Sequence, residues 1–379
     1  MPKSFLAGCI VCIALLCGCS GRGGGRPSFD RGGAVASSQT VNYASGFIIE
    51  EFEGYTRVIL RDPWDTTRIR RTYLIVDCSE SIPDNLPEGT VIRTPIRKAV
   101  VYTTTVASLI EEAGCIENIC GICETEYVTS KEARNRIGQG LIADIGPSTS
   151  PNVEKIVEIE ADAIIASPFE NSSYGSAEKL GIPIIEAADY MEGTPLGRAE
   201  WIRFYSLLFG KKEVGDSLFS LTETRYKALK ELARSAGTRP TVMLERKYGG
   251  QWVLPAGQSY VATMHSDAGA DYIFRDEEGS GVTSLSFETV LDRAVDADFW
   301  MLKYNAPAPM TYGDIEAENP RYKAFGPFAR RAVYACNTAI STYYDDITLH
   351  PDAILADFIH IYHPDLLPDH KLKYYFPLK

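Results

Sequence analysis

Between Ala99 and Ile185 short apolar runs alternate with stretches whose apolar positions return every three or four residues. Ala99–Tyr102, Asn118–Cys123, a short run at Ile142, Asp162–Ala166 and Pro183–Ile185 read as strands. Thr103–Gly114, Lys131–Ile137, Val153–Ile159 and Ser176–Leu180 read as the helices between them. Strands alternating with helices predict a parallel sheet covered on both faces. The same alternation returns later in the chain. Thr241–Leu244, Gln251–Leu254, Tyr272–Ile273, Asp298–Leu302 and Arg331–Ala335 read as strands, and Ser259–Ala268, Ser286–Ala294 and Pro351–Ile361 as helices. Ser286 suits the N-cap of its helix and Pro351 the first turn of the last one. The aromatic tail after His363 is expected to pack on a lobe.

Between these halves Trp201–Phe209 is apolar nearly all round, which predicts a buried helix, and Gly210 suits its C-terminal end. From Lys211 the pattern becomes amphipathic, with Val214, Leu218, Leu221, Leu229 and Leu232 near one face. About 26 residues at 1.5 Å each make a connector of roughly 39 Å. The predicted fold class is α/β, with two Rossmann-like lobes containing parallel sheets and joined by one long helix. The expected divisions are a signal peptide at 1–18, a flexible tether at 19–53, an N-terminal lobe at 54–197, the buried and connecting helices at 198–237, and a C-terminal lobe at 238–379. Gly54–Arg61 and Thr72–Asp77 read as an antiparallel pair decorating the first lobe.

The N-terminus carries an address. Lys3 precedes the apolar run Phe5–Leu16, which is too short for a permanent membrane span and reads as a signal peptide. It ends in Leu16-Cys17-Gly18-Cys19, which resembles the bacterial lipobox. That resemblance implies lipidation of Cys19 and an anchor that holds the protein on a membrane without spanning it. The Gly- and Ser-rich segment that follows reads as the tether. The expected location is the periplasmic face of a bacterial membrane.

Composition narrows the choice of partner. The chain has 379 residues, 45% apolar and 23% charged, which suits a globular protein able to build its own core. A net charge of −12 argues against nucleic acid as a partner, because phosphate binding calls for a basic face. The mature chain keeps Cys78, Cys115, Cys120, Cys123 and Cys336. Structural thiols, a disulfide among Cys115, Cys120 and Cys123, or a metal half-site at Cys120–Cys123 all fit that spacing. No GxSxG, HExxH or GxxxxGK[ST] pattern occurs. The five histidines read as structural, with His265 the single one on a helix that could reach a cleft.

In parallel α/β lobes, ligands bind beyond the carboxyl ends of the strands. In the first lobe this rule selects Thr103–Thr105, Glu124–Tyr127, Gly146–Ser150 and Pro168–Asn171, with Phe169, Glu170 and Asn171 as the named ligand contacts. In the second it selects Arg246, Lys247, Tyr248 and Trp252 in the run ERKYGGQW, then Ser280, Lys303 and Tyr304. Arg246 and Lys247 would neutralise anionic groups, and Tyr248 with Trp252 would cover a flat ring. A hairpin turn at Gly249-Gly250 with Trp252 in the core explains the same run, and helix capping explains Asn171.

The segments GPSTSPNVEKIVEIEADAIIAS, KLGIPII, LLFGKKEVGDSL and SFETVLDRAVDADFWML, in this order, resemble the solute-binding proteins of ABC importers for cobalamin, haem and ferric siderophores. The resemblance runs from about Ala99 to Leu367. It implies capture of a metal chelate, a ferric siderophore or haem ahead of cobalamin, and delivery to a membrane permease. It further implies no catalysis, no resident cofactor and a monomer. One departure stands out. Where many members carry a permease-docking Glu in the first helix, this chain has Ser108, with Glu111 and Glu112 a turn later, and the helix SYVATMHSDAGA of the second lobe shows no Glu either. A lipoprotein metal-dependent hydrolase is the rival from another class.

Overall fold

The structure, a computed structural model, describes residues 37–39 and 41–379. Cys19, the signal peptide and most of the expected tether lie outside the described residues. The described chain opens with a five-stranded sheet in the order β1 (Ser37–Gln39), β2 (Phe47–Phe52), β3 (Tyr55–Arg61), β4 (Ile69–Asp77) and β5 (Thr90–Thr94). Its pairs are antiparallel except β4 with β5. The β3–β4 pair matches the expected antiparallel pair. Phe47–Phe52, expected as tether, is instead a strand. Its alternate residues Phe47 and Ile49 are buried, and Phe47 packs edge-on against Trp201 with ring centroids 5.0 Å apart. Two glutamates in FIIEEF hide an alternation that one buried face is enough to stabilise.

The first lobe runs β6 (Ala99–Val101), α1 (Thr104–Glu112), β7 (Ile119–Ile122), α2 (Lys131–Gly138), β8 (Ala143–Asp144), α3 (Val153–Glu158), β9 (Ala163–Ala166) and β10 (Ile184–Glu186). Its sheet is wholly parallel, in the order β10-β9-β6-β7-β8. Residues 99–101 and 163–166 are buried throughout, as a sheet covered on both faces requires.

Two helices follow. In α4 (Pro195–Leu208), Thr194 caps the N-terminus by accepting from the Gly197 N–H at 3.0 Å, and the helix is buried almost all round. The helix α5 (Lys212–Arg234) has 23 residues, or about 35 Å of rod. Its buried stripe is Gly215, Phe219, Thr222, Tyr226 and Ala233, not the leucine face read from sequence: Val214 and Leu221 are exposed. The cause is a close crossing of α4 over α5. A Cβ on Gly215 would stand 2.6 Å from Cβ of Ser206, so the smallest residue marks the inner face. Phe219 belongs to the first lobe's core, while Tyr226 and Ala233 belong to the second's, so one helix enters both.

The second lobe continues with β11 (Thr241–Leu244), β12 (Lys247–Tyr248), β13 (Gln251–Pro255), α6 (Tyr260–Asp267), β14 (Asp271–Tyr272), β15 (Val282–Leu285), α7 (Phe287–Ala294) and β16 (Phe299–Tyr304). After these come α8 (Tyr312–Glu318), α9 (Gly326–Ala329), β17 (Val333–Asn337), α10 (Tyr343–Leu349), α11 (Pro351–Tyr362) and β18 (Phe376–Pro377). The main sheet has the order β14-β11-β16-β17-β18, parallel apart from β18, through which the C-terminal tail joins it. A small antiparallel sheet, β12-β13-β15, is added to this lobe, with its hairpin turned at Gly249 in the left-handed region (φ +59°). The expected α/β architecture of two parallel-sheet lobes joined by a long helix is thus the observed one. No described helix is long and apolar enough to cross a membrane.

Candidate functional site

At the carboxyl ends of the second lobe's strands lies a cavity of about 680 Å³. The loop after β11 supplies Glu245 and Arg246, β12 supplies Lys247, the end of β16 supplies Lys303 and Tyr304, the loops after β16 and β17 supply Asn305 and Thr338, and α6 and α10 supply Tyr260, Tyr343 and Tyr344. Tyr248 reaches the rim and is 83% exposed. Ser280 lines the far side. Arg246, Lys247, Tyr248, Ser280, Lys303 and Tyr304 of the sequence candidates therefore share one cavity.

Trp252 does not join them. It is fully buried, its indole N–H donates to the Leu244 carbonyl at 3.0 Å, and its ring packs against Trp300, Tyr322, Phe325 and Phe287. The assignment of Trp252 as a ligand contact is corrected here: successive strand residues face opposite ways, and on β13 Gln251 and Val253 point out while Trp252 and Leu254 point in.

Two of the three cations of this wall are paired. Lys303 pairs with Glu245, and Arg246 with Glu318. Burial works against the Lys303 charge. Glu245, then the nearby Tyr343 and Tyr344, more than offset it and raise the ammonium pKa. Lys303 Nζ also lies 5.8 Å from the Tyr343 ring centroid. Lys247 forms no ion pair among the described residues.

A second cavity, about 630 Å³, occupies the corresponding end of the first lobe. It is lined by Tyr102 and Thr103 after β6, Ser148–Ser150 after β8, Ser167 and Phe169 after β9, and the loop Ser172–Ser176. Its lining includes no Lys, Arg, Asp or Glu. Glu124 stands one step behind, accepting from the Ser148 hydroxyl at 2.7 Å. Of the three ligand contacts expected here, Phe169 lines the cavity, but Glu170 and Asn171 are exposed and do not. Both stand in a solvent-exposed turn, which Asn171 makes in the left-handed region (φ 54°). The Tyr102 hydroxyl is buried without a hydrogen-bond partner among the described residues, and burial raises its pKa.

Tyr190 ties the second lobe's cavity to the loop that carries Phe169. It lines the second lobe's cavity, and its hydroxyl donates to the carbonyl of Pro168, the neighbour of Phe169. Nearby, α1 and α10 close a seam between the lobes. The Ser108 hydroxyl meets Asp345 at 3.0 Å, and His350 Nε2 meets Glu112 at 3.3 Å. Ser108, at the position of the missing docking carboxylate, thus faces the other lobe.

Sequence reasoning missed Tyr190 and Tyr260. Tyr343-Tyr344-Asp345-Asp346, which from sequence fits a metal-ligand cluster about as well as a turn after a strand, forms the start of α10, and the helix presents both rings to the cavity. His265 lies in the core, stacked on Phe358 with its Nδ1 2.7 Å from the Tyr362 hydroxyl. Burial, then the Lys303 charge, push its pKa down to about 3, so it is neutral at pH 7. The described cysteines are free thiols. Cys120 and Cys123 stand three apart along extended chain, which puts them on opposite faces, and burial raises them to about 11 and about 12. Among the described residues no group of three His, Cys, Asp or Glu is placed to hold a metal ion.

Residues 99–329 match the periplasmic binding protein family, and they include both parallel sheets apart from the last strands of the second. The chain belongs to the periplasmic binding proteins. An uncharacterized lipoprotein of Methanocaldococcus jannaschii is 27% identical over 307 residues, covering 78% of this chain and 71% of the relative. A second uncharacterized lipoprotein of that organism is 25% identical over 320 residues, covering 81% and 80%. Among solved structures, the periplasmic haem-binding protein of Roseiflexus sp. RS-1 superposes with a TM-score of 0.58 at 17% identity, over 71% of this chain and 99% of that one. The vitamin B12 binding protein of Vibrio cholerae superposes with a TM-score of 0.52 at 18% identity, over 70% and 98%. At such identities these two structures share the fold. The family model ends before β17, α10 and α11, and starts after the β1–β5 sheet.

Proposed function

We propose that this protein is the lipid-anchored solute-binding component of an ABC importer, which captures an iron chelate between its lobes and passes it to a membrane permease. The observation that carries the reading is the pair of cavities at the strand ends of both lobes, with Tyr190 of one wall bonded to the loop that carries Phe169 of the other, on a frame where one helix enters both cores. Such a frame resists wide hinge closure. Affinity then comes from a largely preformed cleft, which lowers the ordering cost of binding. The ring-rich wall of Tyr248, Tyr260, Tyr304, Tyr343 and Tyr344 suits a large flat or chelated ligand. A ferric siderophore or haem comes first and cobalamin next, in keeping with solved neighbours described as an Fe³⁺-hydroxamate transport component and as haem- and vitamin B12-binding proteins. Lipid on Cys19 would hold the protein in the cell envelope at the outer face of the membrane, as the two lipoprotein relatives suggest. The protein acts as a monomer and converts nothing.

The test is co-elution. Purified protein is incubated with haem, cobalamin and ferric siderophores of hydroxamate and catecholate type, passed through size exclusion, and read by absorbance. One chelate band eluting with the protein at about one equivalent is the expected result. The absence of every band sinks the reading.

A further inference from the structure

The two walls of the cleft differ in charge, and the difference limits what fits between them. The first lobe's wall consists of hydroxyls and rings, with six serines and two threonines among its lining residues and no ionised side chain. The carboxylates nearest to it, Glu124 behind Ser148 and exposed Glu170 beside Phe169, are negative. The second lobe's wall has three cations, but two carry their own counter-charges: Glu245 on Lys303 and Glu318 on Arg246. Lys247 forms no close ion pair among the described residues, and its charge, with that of Arg321, acts on the Glu288 carboxylate.

We infer that the ligand is an uncharged metal chelate fringed with amides or hydroxyls, not a polyanionic one. The inference rests on the capture function proposed above and narrows it. A ferric ion with three catecholates is a trianion. In this cleft it would meet about one uncompensated positive charge, and the remainder of its charge would be desolvated against serine hydroxyls and two carboxylates. Drawing Arg246 or Lys303 toward the ligand would strand Glu318 or Glu245 in turn. A ferric ion with three hydroxamates is neutral and brings amide and hydroxamate oxygens, which the serine and threonine hydroxyls of the first wall can meet as donors. A corrinoid with an amide periphery presents the same chemistry. Both place polar, uncharged edges against Ser148–Ser150 and Ser167 while the metal-bearing face rests on the tyrosines of α6 and α10.

The experiment uses the full chain with its anchor in detergent micelles. Four probes are titrated while protein fluorescence is followed, at low and at high salt: a neutral ferric trihydroxamate, cyanocobalamin, a ferric tricatecholate and haem. The trihydroxamate or cyanocobalamin is expected to bind at least about tenfold more tightly than the tricatecholate, with less than about a twofold change between the two salts, because no net charge is screened. Which of the two binds identifies the source of the chelate, and either supports the inference. Glu318→Gln, which releases Arg246, is expected to improve tricatecholate binding by about tenfold relative to the neutral probe. Tighter binding of the tricatecholate by the unaltered protein, or binding of haem alone, overturns the inference and leaves capture standing. Binding of no probe overturns the capture function and the inference with it.

Discussion

In the first lobe the buried ionised side chains sit where the lobe meets the added sheet and the central helices. Glu186 holds Arg70 and Arg71 of β4. Glu192 accepts from the backbone of Ser45 and Gly46 and from the Trp201 indole, all near 2.9 Å, and Glu200 accepts from the backbone N–H groups of Asn42, Tyr43 and Ala44 at 2.8–3.1 Å. In the second lobe Asp357 does the same for the C-terminal tail, fully buried and accepting from the backbone N–H groups of Lys373, Tyr374 and Tyr375, but here further pairs, Glu245–Lys303 and Arg246–Glu318, stand at the cavity, and the interior is held by aromatic rings around Trp252 and Trp300. Both lobes thus use buried carboxylates for attachment, and the second alone also sets charged groups in its cavity wall. The first wall should act as a passive surface, with selectivity concentrated in the second.

The comparison is broken most forcefully at the aromatic core. Trp300 is fully buried and contacts Trp252, Tyr322 and Phe325, with its indole N–H donating to the Glu245 carbonyl at 2.6 Å. Trp300→Ala should cost about 4 kcal/mol from lost burial and the cavity left behind. Because the indole holds the loop that carries Glu245 and Arg246, chelate binding should fall as well. Urea unfolding and ligand titration of the variant check both effects. Unchanged ligand affinity would separate the second lobe's core from its recognition surface.

A smaller effect is expected at the attachment side. Glu200 is fully buried, and three backbone donors and Arg203 converge on its carboxylate. Glu200→Ala should destabilise by about 3 kcal/mol, since removing one partner leaves buried donors unmet. Ligand affinity should change by less than about twofold, because the residue serves the segment 42–44 and not the cleft. Limited proteolysis is the sharper readout: cleavage near residues 41–46 should appear in the variant first. A large loss of affinity would show that the first lobe's charges also shape the ligand wall.

How much of this was legible in the chain follows the range of the interactions. The parallel sheets were, because strands covered on both faces must be apolar along their length: Ala163–Ala166 cannot be read otherwise. The sides of the connector were not. Phe219 and Tyr226 lie inward because Gly215 lets α4 approach, and that approach is set by a helix pairing outside the local pattern. Trp252 illustrates the cost of phase in a strand, where one position separates the cavity from the core. Tyr190 and Tyr260 carried no local signal at all: each reaches the cleft only through the packing of loops from different parts of the chain, with Arg198 stacked on the Tyr260 ring at 4.9 Å.

The smallest expected effect concerns the seam where the two lobes touch. His350 has its pKa raised, first by its hydrogen bond to Glu112 and against the opposing effect of burial. Asp345 is raised to about 6, mainly by burial, with Asp346 and Glu111 adding to the rise while Ser108 and Arg134 oppose it. Both groups bind protons more tightly folded than unfolded. Each therefore contributes stability that is present in full below its unfolded value and is lost as pH rises through its folded value. For Asp345 the change spans its ordinary 3.8 to about 6, and for His350 it lies above 6.5. Asp346, whose pKa is lowered by Lys373, Thr342 and Tyr374 despite its burial, acts in the opposite sense at the acid end. The seam should accordingly be firmer near pH 5.5 than near pH 8, by an amount worth about 2 °C in melting temperature. His350→Gln combined with Asp345→Asn should flatten this difference while leaving the walls of both cavities intact. If the pH dependence survives the double change, the lobes are held together by the shared central helix and the seam contributes nothing that protons can tune.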